Sequence, residues 1–203
     1  MTPFEFFFSF YGLLLGLSVA ALVGAVARLV QERRDVRFGV LTPLLGVFLV
    51  SDIATFWTQA WVVFRGAPLN YALLLLGLLI AGVYYVAATL VFPRDLKQWP
   101  SLDEHFWAHK RIVLLCVFTA NLIVVSLTYG LSILRDELPP LSPVSLIFTS
   151  VFFVSTLVGA LSRRKAVVVT ALCLLLFGYA ALVLRNVVAL VESNGWPMMH
   201  GPL

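Results

Sequence analysis

Charge is what this sequence has least of. Only 12% of its 203 residues are charged, about half the share typical of soluble domains. Cysteine is nearly absent: Cys116 and Cys173 are the only two. Both lie inside apolar runs and form neither a CxxC pair nor a secreted disulfide framework, so they read as small core residues. There are three histidines, and none falls in the middle of an apolar run, where haem held between two spans normally needs them. The chain shows no glycine-rich phosphate loop, no nucleophile elbow and no paired carboxylates within a run. No cofactor is therefore expected. A cleavable signal peptide is not expected either, because the N-terminus lacks a basic n-region and its first apolar run is too long for an h-region.

What the sequence has instead is hydrophobicity. Apolar residues make up 61% of it and the mean hydropathy is +1.00. A soluble chain of this size leaves much of its surface in water, whereas a bilayer accepts apolar outer faces. Six runs approach the ~20 residues that cross the hydrocarbon as helix: Phe4–Ala27, Gly39–Phe64, Leu69–Phe92, Ile112–Leu134, Val144–Leu161 and Val167–Val191. In lipid each run must satisfy its own backbone, which helices do. A β-barrel needs shorter runs of alternating polarity. The expected fold is all-α: one domain over residues 1–203, a bundle of six transmembrane helices with short loops.

The net charge is +4 and the pI about 9.3. In a soluble protein this points to nucleic acid, but here the basic residues cluster between apolar runs and set orientation. Eleven of the 14 lysines and arginines belong to one side. Arg28, Arg33, Arg34 and Arg37 flank the first loop. Arg94, Lys97, Lys110 and Arg111 flank the third, and Arg163, Arg164 and Lys165 form the fifth. The other side holds Arg65, Arg135 and Arg185. The basic side is expected to be cytoplasmic and both termini periplasmic or extracellular, in a bacterial inner membrane. Lipid is the expected partner; nucleic acid is not.

The third loop carries a helix-start signal. Ser101 followed by Glu104 reads as a capping box after Pro100. The fourth helix then starts at Leu102, and its length to Leu134 is about 50 Å. That exceeds a hydrocarbon layer of about 30 Å, so its first turns are expected to project beyond it. Trp99, Phe106 and Trp107 suit that interface as aromatic anchors.

Asp52 is the most informative residue. It lies mid-run, where a carboxyl costs roughly 2.5–3.5 kcal/mol on insertion scales. At 100° per residue, Ser51, Asp52, Thr55, Thr58 and Gln59 share an arc of about 120°. Ile53, Ala54, Trp57, Ala60 and Trp61 are expected on the lipid side. The polar wedge is either an ion- or proton-binding site or a hydrogen-bonded packing device. Asp52 needs a partner or a proton there. Asn121, in the fourth span, and Arg185, in the sixth, are the candidates. Arg185 can instead pair with Gln59, Glu5 or Glu192, or snorkel to the headgroups.

Three further patterns stand out. Gly12, Gly16, Ala20 and Gly24 form a small-xxx-small stripe, which lets another helix approach closely; it serves internal packing, a homo-oligomer or a partner membrane protein. Gly77, Ala81 and Ala88 form a similar stripe around Tyr84, and Tyr84 or Tyr85 can hydrogen-bond into the core. His105 and His109, four apart on the projecting helix, can share one metal ion, although Lys110 and Arg111 close by repel a cation.

Three functions fit these features. The first is a non-enzymatic membrane module: a sensor, a scaffold or a complex subunit. The second is a small ion- or proton-coupled transporter or channel using Asp52. The third is an intramembrane enzyme with interfacial chemistry at His105 and His109.

Overall fold

The computed structural model describes residues 3–32, 39–64, 70–95, 98–134 and 143–192. The loop residues Arg33, Arg34, Arg37, Arg65, Lys97 and Arg135, and the tail with His200, lie outside them. The fold is an all-α bundle of six helices: α1 (Pro3–Gln31), α2 (Leu41–Phe64), α3 (Tyr71–Val91), α4 (Leu102–Leu134), α5 (Pro143–Leu161) and α6 (Lys165–Glu192). Each is long and apolar enough to cross a membrane.

Local chemistry sets the ends. Asn70 caps α3, its side chain accepting from the Leu73 amide at 2.8 Å. Ser101 Oγ accepts from the Glu104 amide at 3.3 Å, the first half of the expected capping box. Pro143 opens α5, where its missing N–H costs nothing. α1 continues past Ala27 to Gln31, and Arg28 in its last turn complements the negative end of the helix dipole. α4 has 33 residues as expected.

α2 is the central helix and packs against α1, α3, α4 and α6. Half of its span is buried, against 22% for α5 and α6. This position overturns one expectation. Ile53 and Ala60 do not face lipid but lie in the core, because a helix with four neighbours has little outer surface. Trp57 and Trp61 stay partly exposed and pack edge-on against Phe8 of α1. Phe106 is likewise no interfacial anchor: it is buried against the bundle.

α1 meets α3 through a bulky face: Phe7, Tyr11, Leu15, Ser18, Leu22, Ala25 and Leu29 are all buried, with the three-to-four spacing of a helix stripe. Gly77 of α3 makes room for this face; a Cβ there would lie 3.2 Å from the Phe7 ring. The small stripe of α1 is divided. Gly12 packs under Trp57, which a Cβ would meet at 2.6 Å, whereas Gly16 and Gly24 have nothing within 4 Å of that position and Ala20 is exposed. Leu13, Val23, Phe177 and Leu184 point outward. In a bilayer such side chains meet acyl chains, and their exposure carries no penalty.

The end of the bundle where α2, α4 and α6 begin is stitched by polar contacts. Thr42 Oγ1 donates to the Leu102 carbonyl at 2.8 Å. Lys165 pairs with Asp103 at 3.1 Å. Lys110 is 4% exposed, and its ammonium donates to the carbonyls of Gly159, Ala160 and Ser162 at 2.8, 3.0 and 2.8 Å. It thus satisfies two terminal carbonyls of α5, which have no partner within the helix, and that of Ser162 just beyond its end.

Candidate functional site

Four helices bring polar groups together at mid-height. Asp52 of α2 is 2% exposed. Tyr179 of α6 donates its hydroxyl to Asp52 Oδ1 at 2.6 Å, and Tyr84 of α3 donates to Oδ2 at 2.7 Å. Asn121 of α4 places Nδ2 3.3 Å from both carboxyl oxygens, 3.2 Å from the Tyr84 hydroxyl and 3.0 Å from its own Val117 carbonyl. An amide nitrogen has two hydrogens, so one bonds the helix backbone and the other is shared over the Asp52–Tyr84 pair. The carboxyl therefore has a donor from each of three other helices.

Rings shield the cluster. Phe56 meets Tyr84 edge-on at 5.0 Å, and Phe48 leans on Tyr179 at 6.1 Å. Tyr11 of α1 flanks Phe56 at 6.3 Å, and its buried hydroxyl has no hydrogen-bond partner among the described residues.

The sequence-derived candidates separate into two groups. Asp52 and Asn121 come together. Thr55, Gln59 and Arg185 do not join them; they line a groove of about 770 Å³ between α2, α4, α5 and α6, beside Tyr179. The wedge on α2 is thus split. Asp52 turns inward, while Ser51, Thr55, Thr58 and Gln59 face the groove. Ser51, Thr55 and Thr58 donate their hydroxyls to carbonyls one turn back, at 2.9, 2.9 and 3.0 Å. Of the two tyrosines singled out on α3, Tyr84 reaches the core and Tyr85 is exposed. Tyr179 escaped the sequence reading, since a lone tyrosine in an apolar run looks like ordinary packing.

At the other end, His105 and His109 stack at 4.3 Å, with the Trp99 ring edge-on to both. His109 Nδ1 donates to the His105 carbonyl at 3.1 Å. The pair borders a cavity of about 380 Å³ with Arg94, Asp95 and Gln98. No group of three or more His, Cys, Asp or Glu side chains suited to a metal ion occurs among the described residues.

Six membrane-length apolar helices around a buried polar cluster define a multi-pass membrane protein. Comparison with family models, curated proteins and solved structures finds no match to the chain.

Proposed function

We propose that the chain is a non-enzymatic module of a bacterial inner membrane, acting as a sensor, a scaffold or a subunit of a larger complex. The observation that carries this reading is the saturation of Asp52: three donors from three helices hold it. A carboxyl held this way fastens α2 to α3, α4 and α6 and fixes their register. The second reading is a small proton- or cation-coupled transporter. The groove favours it, because its wall includes Tyr179, whose hydroxyl bonds Asp52. A tyrosine hydroxyl can donate or accept, so this shell can follow a proton onto and off Asp52 without losing the bond.

Proton and monovalent-cation flux in proteoliposomes separates the two. The module predicts flux no greater than in empty liposomes for both the wild type and Asp52→Asn. Wild-type flux abolished by Asp52→Asn establishes the transporter instead. The excess of basic residues on the Lys110 side supports a cytoplasmic position for that side and a periplasmic or extracellular one for both termini. A C-terminal alkaline phosphatase fusion is then active and a C-terminal green fluorescent protein fusion dark; the reverse pattern inverts the topology.

In the module reading, Gly16, Ala20 and Gly24 offer the closest approach to a second copy of the chain or to a partner helix.

A further inference from the structure

The groove beside Tyr179 has a polarity gradient. At depth its walls are uncharged, with Val50, Ala54, Val125 and Leu182 beside the hydroxyl-bearing Ser51, Thr55 and Thr128, whereas Gln59, Arg185 and Asn186 sit towards the end where α2 and α6 finish. Its volume of about 770 Å³ lies in the 300–1,000 Å³ range of small-molecule sites.

Hydrogen-bond accounting gives the chemistry of the occupant. The hydroxyls of Ser51, Thr55 and Thr58 spend their hydrogens on their own helix, and Thr128 donates to the Val124 carbonyl at 2.8 Å. The donors left along the wall are the Arg185 guanidinium, the amides of Gln59 and Asn186, and the hydroxyls of Tyr129 and Thr149. Among the described residues no Asp or Glu lines the groove, and no hydrogen bond or ion pair ties Arg185 to another of them. A guanidinium at a bilayer's edge gains most from an acceptor-rich anion, which it grips bidentately.

We propose that this groove binds one anionic phospholipid, its phosphate on Arg185 with Gln59 and Asn186, and one acyl chain along Ala54 and Leu182 towards Tyr179. A free phosphate uses the same donors and leaves the uncharged depth, whose hydroxyls have spent their hydrogens, unfilled; the gradient favours the lipid. The proposal is independent of whether Asp52 moves a proton.

Native mass spectrometry of the full chain, released from detergent with phosphatidylglycerol or phosphatidylcholine at equal concentration, tests it. The wild type retains one phosphatidylglycerol, and Arg185→Gln weakens that retention about tenfold or more, the loss expected for one charge-assisted contact. Ala54→Phe fills the groove without changing charge and weakens retention as well. Val183→Trp takes its place if that variant does not fold. Equal retention of the two lipids, or unchanged phosphatidylglycerol retention in Arg185→Gln, overturns the proposal. Loss in Arg185→Gln but not in the groove-filling variant overturns the acyl-chain placement. Displacement of the lipid by equimolar inorganic phosphate shows a free-anion site and overturns the lipid assignment.

Discussion

Tyr179 faces Asp52 and the groove at once: its hydroxyl donates to Asp52 Oδ1 across 2.6 Å while the residue forms part of the groove wall. One side chain therefore separates the buried Asp52 carboxyl from the groove.

The strength of that link is measurable. Hydrogen bonds between membrane helices average about 0.6 kcal/mol and reach about 1.7. Asp52 is buried and held from three sides, so its bonds belong at the upper end. Tyr179→Phe and Asp52→Asn should each lower unfolding stability in micelles by about 1–2 kcal/mol. A double-mutant cycle of Tyr179→Phe with Asp52→Ala, which leaves no acceptor at position 52, should show coupling of at least about 0.5 kcal/mol. Additive losses would mean that the two side chains do not bond.

Tyr11 offers the opposite case. Its hydroxyl is buried without a partner among the described residues, and an unsatisfied polar group costs about 1–3 kcal/mol. Tyr11→Phe keeps the stack on Phe7 and the contact with Phe56 and removes that cost. Its expected effect is neutral to stabilising, by up to about 1 kcal/mol, whereas Tyr84→Phe destabilises. A thermal melt in which Tyr11→Phe costs as much as Tyr84→Phe would place the Tyr11 hydroxyl in a bond of its own.

Much of this architecture was legible in the sequence, and the reason is physical. Lipid forces each span to be a helix, so six apolar runs translate into six helices with ends shifted by a few residues. Asp52 and Asn121 stood out because carboxyl and amide groups are costly at mid-membrane. What brings them together is tertiary. Tyr84 and Tyr179 look like packing residues until α3 and α6 are placed beside α2. Arg185 is six residues beyond Tyr179, roughly 9 Å further along α6, which leaves it in the groove and away from the carboxyl. Lys110 reads as one more orientation charge, because nothing in the sequence shows that the end of α5 lies against it.

That lysine carries a prediction of its own. Removing the ammonium leaves the carbonyls of Gly159, Ala160 and Ser162 without their donor. Hydrogen bonds to charged groups are worth about 1.5–3 kcal/mol, so Lys110→Met should destabilise by about 2–3 kcal/mol. Lys110→Arg should not restore it fully, since a planar fork fits three converging carbonyls poorly. Arg111, its exposed neighbour, is the control: Arg111→Met should change stability by less than about 0.5 kcal/mol. Equal effects at both positions would remove the capping role.

The small stripe of α1 distinguishes an internal seam from an external one. Gly12 lies under Trp57, and a side chain there meets the ring; overpacking of this kind costs about 1–3 kcal/mol. Gly16 and Gly24 have open space at the Cβ position, so in an isolated monomer Gly16→Leu and Gly24→Leu should cost less than about 0.5 kcal/mol. If the outer part of the stripe seats a second copy, those substitutions should abolish self-association, read as energy transfer between labelled chains in liposomes, while leaving the melt unchanged. Gly12→Leu should do the reverse, lowering stability before it affects association. Self-association that survives both outer substitutions would move the interface off α1; loss of stability at Gly16 or Gly24 without any loss of association would return the whole stripe to the interior of the bundle.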